Sequence, residues 1–290
     1  MKYIYSVVAL LVFISCAEKQ EQKEELPKSW QLSKTIDIDG INPIGMTITD
    51  DGLWLSDGDH NRLVLIDREG KTQRTIDSLE RPMHIASEGK TLFVPQYGND
   101  EIAVIGDPSM QILPLTDSLD APAGISSYGK EKAIADFYNH RILYTEDGES
   151  YISFGKEGKA EGDFYYPTDV QITNDKIWVA DAYNNRIQVF DKKGNFLKVI
   201  GADQKMNAAT GIFVSETEVF ITDYENNRVL VFDHDGVLQQ KLTNGINNPT
   251  EMILDQGQLY ITNFRTSKLL VFDWAVTPEE GEHDHDHDHD

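Results

Sequence analysis

The 290-residue chain carries 49 acidic against 26 basic side chains, a net charge of −23. A surface of that sign repels phosphate backbones, whose recognition rests on Lys and Arg contacts, and no basic cluster interrupts it, so nucleic acid is set aside as a partner. The single cysteine, Cys16, rules out an internal disulfide framework.

The first element is a leader. Lys2 precedes an apolar stretch at 7–14 and a small-residue boundary at Ser15-Cys16, the pattern of a secretory signal. The segment FISC resembles a bacterial lipobox, with Phe13 where Leu is commoner. Residues 1–15 are therefore expected to be a lipoprotein signal peptide and Cys16 the lipidation site; an ordinary secretory signal or an uncleaved anchor is the alternative. Acyl chains contribute about 0.8 kcal/mol per buried methylene, so several hold a protein firmly to a membrane. The expected location is the bacterial cell envelope, lipid-anchored at the outer membrane, periplasmic or surface-exposed. Residues 16–29, mostly Glu, Lys and Gln, read as a flexible tether.

From residue 30 to 276 a motif recurs six times. Its copies begin at Pro43, Pro82, Pro122, Pro167, Ala209 and Pro249. Fourteen residues on stand Asp57, Gln96, Asp136, Asp181, Asp223 and Asn263; five further on stand Arg62, Glu101, Arg141, Arg186, Arg228 and Lys268. Fixed offsets with a period near forty residues predict radial repetition. In the fourth copy, runs rich in Val, Ile, Phe and Trp predict strands at 169–173, 176–180, 186–190 and 195–200. Asn184-Asn185 suits the tight turn between the second and third, since Asn tolerates left-handed backbone angles. The sixth copy ends after three strands, at 268–276, while residues 33–39 have no blade of their own and resemble the other fourth strands. The expected fold is all-β: a six-bladed β-propeller of four-stranded antiparallel blades, its ring closed by that N-terminal strand, which pairs with 268–273 and removes the sheet edge.

The motif resembles the NHL repeat. The copy at 167–194 carries the resemblance through Pro167, Asp169, Asp181, Asn185, Arg186, Phe190, Asp191 and Gly194, and the run at 154–167 is similar to that family's inter-blade linker. The resemblance implies a propeller; related propellers include binding scaffolds and enzymes, so it does not select a function.

Candidate sites come from departures within the repeat. Two residues after the proline the column reads Gly45, His84, Gly124, Asp169, Gly211, Glu251. It is expected beside the central channel, on the end of the ring that carries the Asp–Arg turns. His84, Asp169 and Glu251 stand on alternate blades, and one imidazole with two carboxylates suits a divalent ion with open coordination positions. Bonding to a neighbouring blade is the alternative. The Asp column and the Arg five residues later read as a structural ion pair about a turn. Asp57-x-Asp59-x-Asn61 has neither Gly at the sixth position nor Glu at the twelfth of a calcium loop, and reads as a turn. Aromatic residues follow the Asp column (Tyr97, Phe137, Tyr138, Tyr183, Tyr224 and Phe264), and form either a ligand-gripping rim or wedges between blades. Residues 277–290 read as a disordered tail in which His283, His285, His287 and His289 alternate with Asp, a pattern able to hold zinc, copper or nickel loosely; a purification tag or a solvated acidic tail is the alternative.

Two functions fit. One is an envelope-anchored, monomeric binding or scaffold propeller that takes a small ligand, peptide or protein partner on the channel face. The other is a metal-dependent enzyme, lactonase-like rather than a peptidylglycine-type lyase, with zinc, copper, nickel or calcium as the possible cofactor. The lyase type calls for several channel histidines, and outside the tail only His84 stands in the channel column. No Ser-His-Asp or Cys-His arrangement can be assigned.

Overall fold

The computed structural model describes residues 27–106 and 109–277. Cys16, the signal and most of the tether, and the tail histidines lie outside the described residues. Among the described residues no helix is long and apolar enough to cross a membrane.

Six four-stranded antiparallel sheets follow one another in sequence order. Blade four runs Pro167–Ile172, Lys176–Asp181, Arg186–Asp191 and Phe196–Ile200, within two residues of the sequence expectation at each end. The tight turn between its second and third strands ends at Asn185, whose φ of 56° is left-handed; Asn61 and Asn227 do the same in blades one and five.

Blade six is completed from the other end of the chain. Its three sequential strands are joined by Lys28–Asp37, which pairs with Lys268–Val276 in antiparallel register from Lys28 opposite Val276 to Asp37 opposite Lys268. The closing strand thus begins five residues before the expected 33–39 and takes the last two residues of the expected tether. A bulge between Leu32 and Lys34 shifts the register and divides it into two halves. That irregularity hides the alternation upstream of residue 33.

The core is divided into six wedges between neighbouring blades. Wedge four–five, for example, packs Trp178, Ile187 and Val189 against Ile212, Val219 and Leu230. The closing strand enters two wedges: Trp30 lies in the five–six wedge and Ile36 in the six–one wedge. Blade two is the least regular, with first and fourth strands of only three residues, Ala86–Glu88 and Met110–Ile112.

The Asp–Arg column is structural. Asp57, Asp136, Asp181 and Asp223 are fully buried. Each accepts from its Arg: Arg186 Nε donates to Asp181 at 2.8 Å, Arg141 Nε to Asp136 at 2.8 Å and Arg228 Nε to Asp223 at 2.6 Å. Asp181 also accepts from the Tyr165 N–H at 2.7 Å and from the Asn184 amide, and the Arg186 fork reaches the Ala160 and Asp163 carbonyls. One carboxylate therefore ties a turn to the linker that enters its blade. In blade two Gln96 keeps the backbone bond, accepting from Glu80 N–H, without an arginine. Asp59 forms no calcium loop: it pairs with Arg265 of blade six at 2.9 Å, and this holds its carboxyl below the usual range.

Candidate functional site: an axial carboxylate–imidazole cluster

Each first strand starts near the Asp–Arg turns and runs away from them along the axis. In blade three Pro122 pairs with Asp136 and Tyr128 with Glu131. In blades three to six the ladder slips at or beside the third residue of the motif, between Pro122 and Gly124, Pro167 and Asp169, Ala209 and Ile212, and Pro249 and Met252. A bulge re-aims the side chain it carries, here towards the axis. In blade two His84 precedes the first strand and instead makes a parallel bridge to Gly124.

The column alternates around the ring between glycine and a large polar residue, and the backbones explain why. A Cβ on Gly45 would lie 2.6 Å from both His84 Cα and the Met83 carbonyl, and one on Gly124 would lie 2.9 Å from Asp169 Cα. Glycine on blades one, three and five lets the next first strand approach. The end near the Asp–Arg turns is drawn shut by bonds from blade to blade: Ser56 Oγ donates to Met83 O at 2.6 Å, His84 N–H to Ala123 O at 3.0 Å, Thr168 Oγ1 to Thr210 O at 2.9 Å and Thr250 Oγ1 to Pro43 O at 2.9 Å.

Blades two, four and six fill the space that remains. His84, Asp169 and Glu251 are all buried, and one ligating atom from each lies within 4.8 Å of the others. His84 Nδ1 is 2.8 Å from Glu251 Oε2. Glu251 Oε1 accepts from the Met252 N–H, while the two oxygens of Asp169 accept from the Val170 and Ile212 N–H groups. Burial pushes the Glu251 carboxyl up to about 7, and the nearby Asp169 charge adds to the rise. Burial likewise raises Asp169. For His84 burial works against the charged form, but attraction from Asp169 and Glu251 prevails and the imidazole pKa rises. Two desolvated carboxylates beside one imidazole demand positive charge, as a proton or as a cation.

Asp169 and Glu251 form the floor of a chamber of about 170 Å³, with His84 bonded to Glu251 beside it. Its walls come from later positions of the first strands, among them Thr47, Ser87, Ser126, Ser127, Gln171 and Phe213. The chamber therefore lies on the side of the cluster away from the Asp–Arg turns.

The aromatic rim lies on the Asp–Arg side and does not share that chamber. It falls into two groups. Tyr97, Phe137, Tyr138, Tyr166 and Tyr183 touch in a chain of edge and stacked contacts, with Phe137 and Tyr166 rings 4.8 Å apart. Tyr224 and Phe264 form a separate pair at 6.4 Å. Tyr165 and Tyr166, which the sequence reading passed over, join the first group: Tyr165 stacks on His140 and Tyr166 sits among the rim rings. Their adjacency just before Pro167 was the available signal.

Residues 164–190 match the NHL repeat. A stretch of 47 residues is 43% identical to Protein lin-41 of Caenorhabditis elegans; it makes up 16% of this chain and only 4% of that protein. Among solved structures, a gluconolactonase from Xanthomonas campestris superposes with a TM-score of 0.67 at 14% identity, over 86% of this chain and all of that one. A catalytically inactive variant of virginiamycin B lyase from Staphylococcus aureus, with quinupristin, superposes with a TM-score of 0.62 at 16% identity, over 81% of each chain. At such identities the likeness is one of fold. The chain is a six-bladed β-propeller with an NHL repeat in blade four.

Proposed function

We propose that this protein is an envelope-anchored binding propeller whose axial chamber takes a small polar ligand through a divalent cation held by His84, Asp169 and Glu251. The observation that carries the reading is the convergence of one imidazole and two carboxylates, the carboxylates lining an otherwise uncharged chamber. Bound there, a cation would offset the mutual repulsion of the carboxylates and present open coordination positions to a ligand. Hydroxyls of Ser87, Ser126 and Ser127 and the Gln171 amide suit the polar groups of such a ligand. Cys16 would supply the membrane anchor.

Metal analysis of protein lacking residues 282–290 tests the site apart from the tail. After dialysis against zinc, calcium, nickel or copper, one ion per chain should remain, and Asp169→Asn or Glu251→Gln should release it. No retained ion, or equal retention in both variants, would remove the reading.

A second reading is an enzyme of the lactonase-like kind. It is favoured by a carboxyl pushed up to about 7 at 2.8 Å from an imidazole, a pair able to exchange a proton near neutrality. Turnover of a lactone panel that disappears in Glu251→Gln would decide for it.

A further inference from the structure

A second cavity, of about 900 Å³, lies between blades five and six against the closing strand. It is separate in chemistry from the axial chamber. Trp30 and Trp274 stand opposite one another on the closing ladder, with rings 5.4 Å apart and inclined at 60°, so that they form a corner. Trp30 is buried, whereas Trp274 is 49% exposed within the cavity. Phe213, half-buried, lines it as well.

The acidic residues here are arranged unlike those of blades four and six. Glu218 stands directly opposite Asp233 across the second and third strands of blade five. At the matching places blade four sets Lys176 against Asp191, and blade six sets Gln258 against Asp273 with an amide bond of 2.8 Å. Like charges directly opposite on a ladder repel. Asp233 is occupied by its own turn, accepting from the Asp235 and Val237 N–H groups and from the Gln239 amide. Glu218 receives only the Trp30 indole N–H, at 3.2 and 3.3 Å to its two oxygens. Among the described residues no Lys or Arg pairs with either carboxylate. Burial raises the Glu218 pKa, and the indole bond offsets this only in part.

We propose that the cavity bounded by Trp30, Trp274, Phe213, Glu218, Asp233 and Gln239 is a binding site for a small quaternary ammonium compound. Indole and phenyl faces attract a cation that carries an apolar shell, and Glu218 supplies the formal charge. A quaternary head needs no hydrogen-bond acceptor, which suits a carboxylate already engaged by an indole. The cavity is also far larger than a bare metal ion requires.

Calorimetric titration of the full-length protein with choline, alongside its neutral isostere 3,3-dimethylbutan-1-ol, tests the site. Saturable one-site binding of choline is expected, weaker by about tenfold for the neutral compound. Glu218→Gln retains an acceptor for the indole and so preserves the fold, but should weaken choline by a similar factor. Trp274→Ala removes a half-exposed ring and should do likewise while the melting temperature stays within about 4 °C of wild type. Equal affinity for choline and its neutral isostere, absence of saturable binding, or indifference to both substitutions would overturn the proposal. So would tighter binding of N-acetyl-lysine methylamide than of choline, which would assign the cavity to a basic peptide side chain instead.

Discussion

Trp30→Ala is the sharpest test of how the ring closes. Trp30 is 6% exposed, packs edge-on against Phe220 at 5.8 Å and belongs to the wedge between blades five and six. Its backbone is held on the other side by Gln240, whose amide accepts from the Trp30 N–H at 2.9 Å and donates to its carbonyl at 2.8 Å. Truncating a buried Trp to Ala costs about 3–5 kcal/mol, because the lost burial is joined by a cavity. The substitution also leaves Glu218 without its indole donor, which places the cost towards the upper end. For a domain of this size each kcal/mol moves the melting temperature by roughly 2–4 °C, so a fall of about 6–20 °C is expected in differential scanning calorimetry. Trp30→Phe should fall between wild type and Ala, since it keeps a ring in the wedge but loses the bond to Glu218. Trp274→Ala, at the facing but half-exposed position, should move the midpoint by no more than about 2–4 °C, the equivalent of a surface change under 1 kcal/mol. If Trp30→Ala melts within 2 °C of wild type, on the order of experimental scatter for such a domain, the closing strand does not contribute to the fold as described.

Other outcomes follow from the axis and the turns. Gly211→Ala would drive a methyl into the Thr250 carbonyl and should destabilise by about 2–3 kcal/mol in urea titration, whereas Gly257→Ala, in open space at φ 82°, should cost about 1 kcal/mol; equal costs would refute the close approach of blades five and six. Asp181→Ala should lower stability by about 3–5 kcal/mol, because it strips a buried anion from Arg186 and the Tyr165 N–H; a loss below about 1 kcal/mol would mean the pair behaves as if exposed. The Glu251 carboxyl is raised in the folded state, so native protein binds more protons than unfolded protein between about pH 4.5 and 7 and loses stability as pH rises through that window. In chelator-treated protein lacking residues 282–290, this slope should be present in wild type and reduced in Glu251→Gln; identical slopes would place the proton elsewhere. Cys16→Ser should move the mature protein from the membrane to the soluble fraction, and an unchanged distribution would dismiss the lipid anchor.

The ring was legible because its determinants are local and repeated. Pro122, Pro167 and Pro249 open strands, Asp181 and Arg186 bracket a turn, and each signal recurs at the same offset. The convergence of His84, Asp169 and Glu251 was legible for the same reason, since equivalent positions of a closed ring face one axis. The side on which their chamber opens was not. It depends on bonds between blades, such as Ser56 Oγ to Met83 O and Thr250 Oγ1 to Pro43 O, the second of which joins residues more than two hundred positions apart. The cavity at Trp30 and Trp274 was hidden more deeply, because Glu218 becomes its neighbour only when the first and last strands meet beside blade five. Blade two departs most from the pattern. Pro95 lies within its second strand, and after Pro82 bridges to Gln96 the chain turns His84 onto Gly124 of blade three, so only Ala86–Glu88 pair as a continuous first strand.

The alternation of glycine with a large polar residue at the axis gives the ring two symmetries at once. By strand count it is a sixfold object, but by what meets at its centre it is three pairs of one pattern, each a blade that yields space and a blade that fills it. A gain or loss of one blade would leave the count odd, and somewhere two fillers would collide or two glycines would leave a gap. The smallest unit this ring can gain or lose while keeping its centre packed is therefore a tandem of about eighty residues, twice the repeat period. Growth of such a chain by duplication is expected to proceed in blade pairs.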